Sequence, residues 1–274
     1  MRVVVCALAK NEHLYINEWV NHYAKLGFDK IYLYDNDDIK CKKYIGDYID
    51  NKDLVEIIDI RGQVRPNLQH DVYTEFYNTH TFDYCLFCDI DEFLVGINDI
   101  HEFLKDKTIE QIRIRWRLFG DDDLIERDMK KPIMETFTRQ VTQAYKRNLK
   151  GQCRLPHQGK AIVKGGLENV VIQSPHFASY GTRGVVLPSE LPSGKPCWSM
   201  VTITEDYTDE KVYLNHYMTK SLKEFLDQKM NRTDAVFGNK IDMKYYWRIN
   251  KMTLEKQLYI QKWLTKGRNL WAKV

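Results

Sequence analysis

The sequence predicts an α/β protein with a Rossmann-like, mainly parallel sheet flanked by helices and a mixed C-terminal half that ends in helices. Over the first 115 residues, apolar β-branched runs alternate with segments of helical periodicity. After about residue 110 the pattern changes to short alternating strands, and the last third turns helical. Strands that alternate with helices form parallel sheets through right-handed crossovers. Composition, with 43% apolar and 29% charged residues, is that of a folded protein.

The elements of the first half follow from local patterns. A continuous β-branched run such as "VVVCALA" is typical of a strand buried on both faces. Apolar residues from Trp19 to Leu26 recur at helical spacing, and Gly27 is placed to end that helix. The predicted strands are 2–9, 29–35, 53–60 and 82–89, and the predicted helices are 12–28, a short one over 40–50, and 67–80.

The second half is expected to contain a strand over 109–120, short antiparallel strands over 158–178, an irregular proline-rich loop over 181–197, and helices over 222–232 and 253–267. No linker divides the chain. The sequence therefore predicts a single domain over 1–274, with a nucleotide-binding half at 1–115 and an acceptor-side half at 116–274.

Charge and cysteine usage narrow the function classes. The net charge of only +3 gives no reason to expect nucleic-acid binding. No signal segment and no long apolar run is visible, which favours a soluble, cytoplasmic protein. The six cysteines are scattered, as expected for reduced thiols. Cys85 and Cys88 form a C-x-x-C, but residues three apart on a strand face opposite sides, which argues against a shared metal.

Polar residues follow three of the predicted parallel strands. They are Lys10–Glu12, Asp35–Asp37 and Asp89–Asp91. Ligands of open parallel sheets bind beyond the carboxyl ends of the strands. The three groups are therefore expected to form one joint site.

The stretch "CLFCDIDEFL" places three carboxylates after a buried strand. On an extended strand, Asp89 and Asp91 would point the same way. Two carboxylates with water suit Mn²⁺ or Mg²⁺, and a diphosphate would complete the shell of a metal acting as Lewis acid. The alternative is a solvated acidic turn that caps a helix beginning near Phe93.

Four blocks of sequence together resemble glycosyltransferase family 92 and family 2-like proteins, which are nucleotide-sugar enzymes of the GT-A fold. The blocks read "ALAKNEHLYINEWVNHYAKLGFDKIYLYDND", "DYCLFCDIDEFL", "RWRLFG" and "LNHYMTKSLKEFLDQK". The resemblance covers most of the chain, with residues 130–155 the least distinctive. It implies a hexosyltransferase of polysaccharide biosynthesis that uses a UDP-sugar donor, with UDP-galactose favoured.

The resemblance also implies roles for residues at the strand ends. Lys10, Asn11 and Glu12 would lie beside the nucleotide. Asp35 and Asn36 would contact its uracil or ribose end.

The same resemblance makes Asp89 and Asp91 the D-x-D pair, with Asp91 the closer metal ligand and Asp89 shared with ribose. Glu92 completes the motif, either in catalysis or as a hydrogen-bond partner of the backbone. His176 and His216 are candidate additional metal ligands, with a structural role as the alternative. His157 also stands out among the late histidines.

Lys160 and Lys220 would meet the diphosphate charge, although each alone also suits a surface lysine. An inverting transferase needs a carboxylate to deprotonate the acceptor hydroxyl of a glycan or lipid-linked oligosaccharide. The candidates are Glu92 and the run Asp121–Asp123, of which Asp121 is preferred.

Two other functions stay open at this point. Phosphohydrolases of the haloacid-dehalogenase type also place D-x-D after a strand, with the first Asp as nucleophile. A non-catalytic nucleotide- or carbohydrate-binding module is the other alternative. Separately, the basic, aromatic segment 256–274 is compatible with peripheral contact at the inner face of the membrane, or with simple packing on the domain.

Overall fold

The computed structural model describes residues 1–39, 41, 43–141, 158–182, 184–230 and 241–271. Within these residues, nine strands form one mixed sheet and three strands form a small antiparallel sheet. Helices cover the faces of the large sheet. The predicted α/β fold class is confirmed.

The first half forms the parallel part of the sheet. Its elements are β1 (Val3–Ala9), α1 (Ile16–Lys25), β2 (Lys30–Asp35), β3 (Val55–Asp59), α2 (Leu68–Thr79) and β4 (Tyr84–Phe87). The strand order β3-β2-β1-β4 is parallel throughout, as the alternating pattern predicts. The short helix expected over 40–50 is a 3₁₀ turn over Ile45–Tyr48.

The chain after β4 extends the same sheet in mixed orientation. It contributes β5 (Glu92–Val95), α3 (Ile100–Leu104), β6 (Gln111–Leu118), α4 (Ile133–Thr136), β7 (Gly159–Lys164), β8 (Val170–Ser174), β9 (Phe177–Tyr180), β10 (Val185–Val186), β11 (Ser189–Glu190) and β12 (Tyr213–His216). The order continues as β4-β7-β6-β12-β5, with β7 antiparallel to both of its neighbours. Strands from both halves of the chain therefore belong to one sheet.

The proline-rich stretch 181–197 is more regular than expected. β10 pairs with β9, and β11 pairs in parallel with β6. The prolines lie outside both two-residue strands, so they do not remove the ladder hydrogen bonds. The prediction of a wholly irregular loop is wrong for this reason.

The chain ends in helices: α5 (Leu222–Glu224), a π-helical segment over Phe225–Lys229, α6 (Met243–Trp247) and α7 (Leu254–Trp271). Ser221 and Glu224 form a reciprocal capping box that starts α5. The predicted helix over 222–232 is thus present as a short α turn that widens into a π turn. No helix in the described part of the chain combines the length and apolar character needed to cross a bilayer.

The central strands of the large sheet, such as β1 and β4, are buried on both faces, whereas the edge strand β3 is only partly buried. Alternate residues of β1 pack in two different apolar clusters, with Val5 on the α1 side and Val4 on the α2 side. Cys85 and Cys88 likewise fall in different clusters, as predicted, and burial raises the pKa of both thiols well above its usual value. Gly27 follows α1 with φ +84°, which confirms its predicted role at the helix end.

A loop after β11 is held by one carboxylate. Glu205 accepts hydrogen bonds from the backbone N–H groups of Trp198 (2.7 Å) and Ser199 (3.1 Å). The buried Arg113 donates to the carbonyls of Ser199 and Met200 in the same loop. Burial alone raises the pKa of Glu205, but the hydrogen bonds that its carboxylate accepts from the Ser199 hydroxyl and from backbone N–H groups such as that of Trp198 outweigh burial and lower the pKa to about 2.

We expect Glu205→Gln to lower the free energy of unfolding at pH 7 and to have little effect near pH 2. The folded-state pKa lies below the unfolded value, so the stabilisation is present above about pH 4.5 and is lost as the pH falls towards 2. Urea unfolding at several pH values measures this. Glu168→Gln, at an exposed turn, is the control. A stability difference that does not change with pH would contradict the assignment.

Candidate functional site

A cavity of about 330 Å³ opens at the carboxyl ends of the parallel strands. The residues that follow β1, β2 and β4 contribute Lys10, Glu12, Asn36, Asp89 and Asp91 to its lining. This is the edge at which the sequence places a joint site. The volume lies within the range of pockets that bind small molecules and cofactors, roughly 300–1,000 Å³.

The acidic motif occupies a turn between two strands. β4 ends at Phe87 and β5 begins at Glu92, whose backbone N–H donates to the Asp89 carbonyl at 3.1 Å. The indole of Trp19 on α1 donates to the carbonyls of Asp89 and Glu92, both at 3.1 Å. The extended geometry assumed from sequence is therefore wrong here. The alternative of a helix near Phe93 is wrong as well, because that residue lies in β5.

Asp89 is paired with a buried lysine. Its Oδ2 lies 2.7 Å from the Nζ of Lys160 on β7, and its Oδ1 accepts from the Gln69 amide at 3.1 Å. The Lys160 side chain is only 1% exposed. Burial alone raises the pKa of Asp89, but the Lys160 ammonium outweighs it and the pKa falls below its usual value. The same carboxylate, with Glu92, raises the pKa of Lys160 against the effect of burial.

Asp91 is paired with a second lysine that was not among the predicted site residues. Its Oδ2 accepts from Lys229 of the π-helical segment, whose Nζ also donates to the Met218 carbonyl at 2.7 Å. Its Oδ1 lies 3.4 Å from Nε2 of His216. Burial alone raises the pKa of Asp91, but Lys229 and His216 outweigh this effect and hold the pKa well below its usual value.

Glu92 lies behind the cavity and not in its lining, as far as the described residues define it. Its side chain is fully buried, and its Oε2 accepts from the Asp89 backbone N–H at 3.0 Å. Its Oε1 lies 3.5 Å from Lys160 Nζ and 3.6 Å from His216 Nδ1. Burial raises the pKa of Glu92 well above its usual value. The residue thus supports the turn, in line with the backbone contact expected of it.

The two candidate histidines flank one tryptophan. The Trp116 ring lies 5.3 Å from the His176 ring and 4.4 Å from the His216 ring, between centroids. His176 Nδ1 is 2.6 Å from the Gly159 carbonyl, which only accepts, so Nδ1 carries the proton. Burial lowers the pKa of His176 to about 3. Both histidines line the cavity, His176 as a neutral ring and His216 beside the Asp91 carboxylate.

The residues after β2 serve mainly to shape the edge. Asp35 is fully buried, and its Oδ1 accepts from the Asp37 backbone N–H at 3.0 Å. Burial raises the pKa of Asp35. The Asn36 amide donates to the carbonyls of Ile60 and Gln63. Of the residues predicted to contact uracil or ribose, Asn36 lines the cavity and Asp35 lies beneath it.

The remaining residues predicted to bind the nucleotide-sugar differ in whether they reach the cavity. Asn11 has φ +59°, and its backbone N–H donates to Asp37. Lys10 lines the cavity 3.4 Å from Asp38. Lys220 is buried behind Glu12, with 3.2 Å between Nζ and Oε2, and burial lowers its pKa despite that carboxylate.

Asp121, the preferred base, is held by the C-terminal helices. Its carboxylate accepts from Tyr246 and lies 2.6 Å from Lys256 Nζ, and its backbone N–H donates to Asn250 at 2.8 Å. It does not belong to the described lining of the cavity. A catalytic role for Asp121 stays a prediction, and its visible role is structural. His157 lies outside the described residues.

The carboxylates of Asp89 and Asp91 are engaged by protein donors, and this bears on the expected metal ion. Each of their four oxygens faces Lys160, Gln69, Lys229 or His216 at 3.4 Å or less. Within the described residues, no group of three or more Asp, Glu, His or Cys side chains is arranged to hold a metal. As arranged, these side chains do not fit Mn²⁺ or Mg²⁺, so a metal cofactor stays a prediction from sequence.

Several side chains that build this site were not among the predicted site residues, although three of them (Trp19, Trp116 and Lys229) lie inside the blocks that carry the family resemblance. Trp19 is recognisable from sequence only as a core residue, although it fixes the acidic turn. Gln69 and Lys229 each supply a partner for one carboxylate. Trp116 is one of the alternating apolar residues of β6, a pattern that predicts a strand but not a site. The chain spacing of these residues gives no signal, because they meet only across the folded sheet.

No protein-family model matches the chain, and no curated protein matches it. It is similar to crystal structures of S. aureus TarS. For TarS 1–349 in complex with UDP, the identity is 13% and the TM-score 0.37, with 60% of this chain and 47% of that chain covered. For TarS 1–349 in complex with UDP-GlcNAc, the identity is 14% and the TM-score 0.33, with 43% and 35% covered. The matched part of this chain thus spans less than half the length of either TarS chain.

Proposed function

We propose that this protein is a glycosyltransferase that moves a sugar, with galactose favoured, from a UDP-sugar to a hydroxyl of a glycan or lipid-linked acceptor. The observation that supports this most directly is the cavity at the carboxyl edge of the parallel strands, where Asp89 and Asp91 lie among basic side chains. Lys10, Lys160 and Lys229 line the same cavity. Such an arrangement suits a ligand that carries both hydroxyl and phosphate groups. The carboxylates can accept hydrogen bonds from the hydroxyl groups, and the ammonium groups can bind the phosphates.

The proposed reaction is a single displacement at the anomeric carbon. The acceptor oxygen forms the new glycosidic bond as the bond to the β-phosphate oxygen breaks, and UDP leaves with the electron pair. The acceptor proton passes to a carboxylate, for which Glu92 and Asp121 are the candidates proposed from sequence, although neither belongs to the described lining of the cavity. An ammonium group next to the departing phosphate stabilises the negative charge that develops on it.

A hydrolysis assay tests the proposal without knowledge of the acceptor. UDP-Gal, UDP-Glc and UDP-GlcNAc are incubated separately with the protein, each with Mn²⁺ and with EDTA, and released UDP is measured. We expect slow release from one of the three. Asp89→Asn should reduce this rate about 100-fold, because it removes the carboxylate that orients both Lys160 and the donor.

Asp209→Asn is the matched control, because Asp209 pairs with Lys195 on the exposed surface. It should release UDP at the wild-type rate. If no UDP is released and no UDP binds under any of these conditions, the transferase proposal is contradicted. Phosphate release from p-nitrophenyl phosphate would support the phosphohydrolase instead, and tight UDP binding without turnover would support the binding module.

A further inference from the structure

We propose that Lys160 and Lys229 supply the positive charge that meets the donor's diphosphate, so that UDP binds without a divalent metal ion. The inference rests on the proposed function, because it concerns the same cavity and the same ligand. Lys229 is the new residue in this assignment. It comes from the C-terminal helices and reaches the acidic turn after β4, where it pairs with Asp91.

The first argument is the position of Lys160. It lies on β7, which is hydrogen-bonded on both sides, by β4 and by β6. Its side chain is 1% exposed and sits between Asp89, at 2.7 Å, and Glu92, at 3.5 Å. The strand pairing fixes the backbone of Lys160, and the two carboxylates hold its ammonium group between them. A divalent ion bound to Asp89 would therefore lie beside a fixed positive charge, and like charges a few ångströms apart repel strongly in a buried site.

The second argument is the geometry of Lys229. Its Nζ donates both to Asp91 and to the Met218 carbonyl, so its direction is fixed by two different elements. The side chain is 10% exposed and lines the cavity, as does Lys160. An ammonium held in this way is already oriented before a ligand binds. Asp91 then acts as the positioning residue for Lys229.

The third argument is the charge of the lining. Among the described residues of the cavity wall, four are basic (Lys10, Arg65, Lys160 and Lys229) and three are acidic (Glu12, Asp89 and Asp91). The two carboxylates that would need a metal to offset their charge are each offset by a lysine instead. This described part of the wall has a slight excess of positive charge, which favours an anionic ligand.

Calorimetric titration of UDP into the full chain tests the inference, once in EDTA and once in Mn²⁺. We expect the wild-type Kd in the two buffers to agree within about threefold, which corresponds to about 0.65 kcal/mol, because the metal ion contributes nothing to binding. Lys229→Met should weaken UDP binding about tenfold or more in both buffers, because it removes a hydrogen bond to a charged group. Lys229→Arg, which keeps the charge, should recover part of the loss.

Lys223→Met is the matched control, because Lys223 lies in the adjacent α5 and pairs with Glu126 on the surface. It should bind UDP as the wild type does. Circular dichroism shows whether each variant is folded. If Lys229→Met does not fold, the double variant Lys229→Met/Asp91→Asn, which removes both buried charges, replaces it.

The outcomes separate the inference from the proposed function. UDP binding that appears only with Mn²⁺ would overturn the inference and leave the transferase standing, as would wild-type affinity in a folded Lys229→Met variant. Absence of UDP binding in both buffers would instead count against the proposed function itself. The comparison of wild-type protein in EDTA and Mn²⁺ decides the question even if no variant folds.

Discussion

Lys160→Met is expected to lower the free energy of unfolding by about 3–5 kcal/mol at neutral pH. Methionine fills nearly the same volume, so packing changes little. The loss comes from Asp89 and Glu92, which would remain in a buried place without their shared ammonium group. Removing one partner of a buried ion pair costs far more than the pair itself contributes. Urea unfolding followed by circular dichroism measures the difference.

Lys164→Met on the same strand is the control for this prediction. Among the described residues, the Lys164 Nζ makes one long contact of 3.5 Å, to the Thr108 carbonyl, at the end of β7. A change within about 0.5 kcal/mol is expected there. If Lys160→Met were as stable as the Lys164 variant, the ion pairs around the acidic turn would not be formed in solution, and the arrangement described for the cavity would be wrong.

Gly159→Ala should have a comparably large effect, through the backbone of the residue before Lys160. A Cβ at this position would lie 1.9 Å from the Ile114 carbonyl oxygen and 2.7 Å from its carbon. Both are main-chain atoms of the paired strand β6 and cannot move aside alone. Separation of β6 from β7 would cost about 3 kcal/mol and would shift Lys160 relative to Asp89. Both thermal stability and UDP affinity should therefore fall.

Gly120→Ala provides the comparison. Its added Cβ would meet only side-chain atoms, at 3.0 Å from Asn250 Oδ1 and 3.4 Å from Val141. Small side-chain movements relieve such contacts, so a much smaller loss of stability is expected. Equal losses for the two variants would mean that the close approach of β6 and β7 does not explain the glycine at position 159.

The parallel half of the fold was predictable because its signals are local. Each strand of the set β1–β4 is a compact apolar run, and α1 and α2 show regular spacing of apolar residues. The capping glycine at position 27 is likewise a local signal. These features depend on neighbours within a few positions, and the structure keeps them. The parallel orientation of these strands is what alternating strands and helices predict, whereas their order along the sheet is known only from the structure.

The site was predictable only in part, because its charges are matched across long distances in sequence. Asp89 meets a lysine 71 positions away, and Asp91 meets one 138 positions away. By itself, a lysine such as Lys160 suits the surface, and only the two carboxylates next to it make its burial favourable. The sequence predicts the start of the acidic turn as part of the strand, because the apolar run before it gives no sign that β4 ends at Phe87.

The anchoring of Asp121 by Lys256 has a consequence for the C-terminal segment. The first three turns of α7 belong to the folded body, since Tyr259 and Trp263 also donate to Glu126 and Asp227. Deleting residues 256–274 would leave the Asp121 carboxylate buried without its counter-ion. If such a variant failed to bind anionic lipid vesicles, the loss would therefore report unfolding and not lipid affinity. Substituting Ser at Leu258 and Leu264, which are 49% and 43% exposed, removes apolar surface while preserving that anchor.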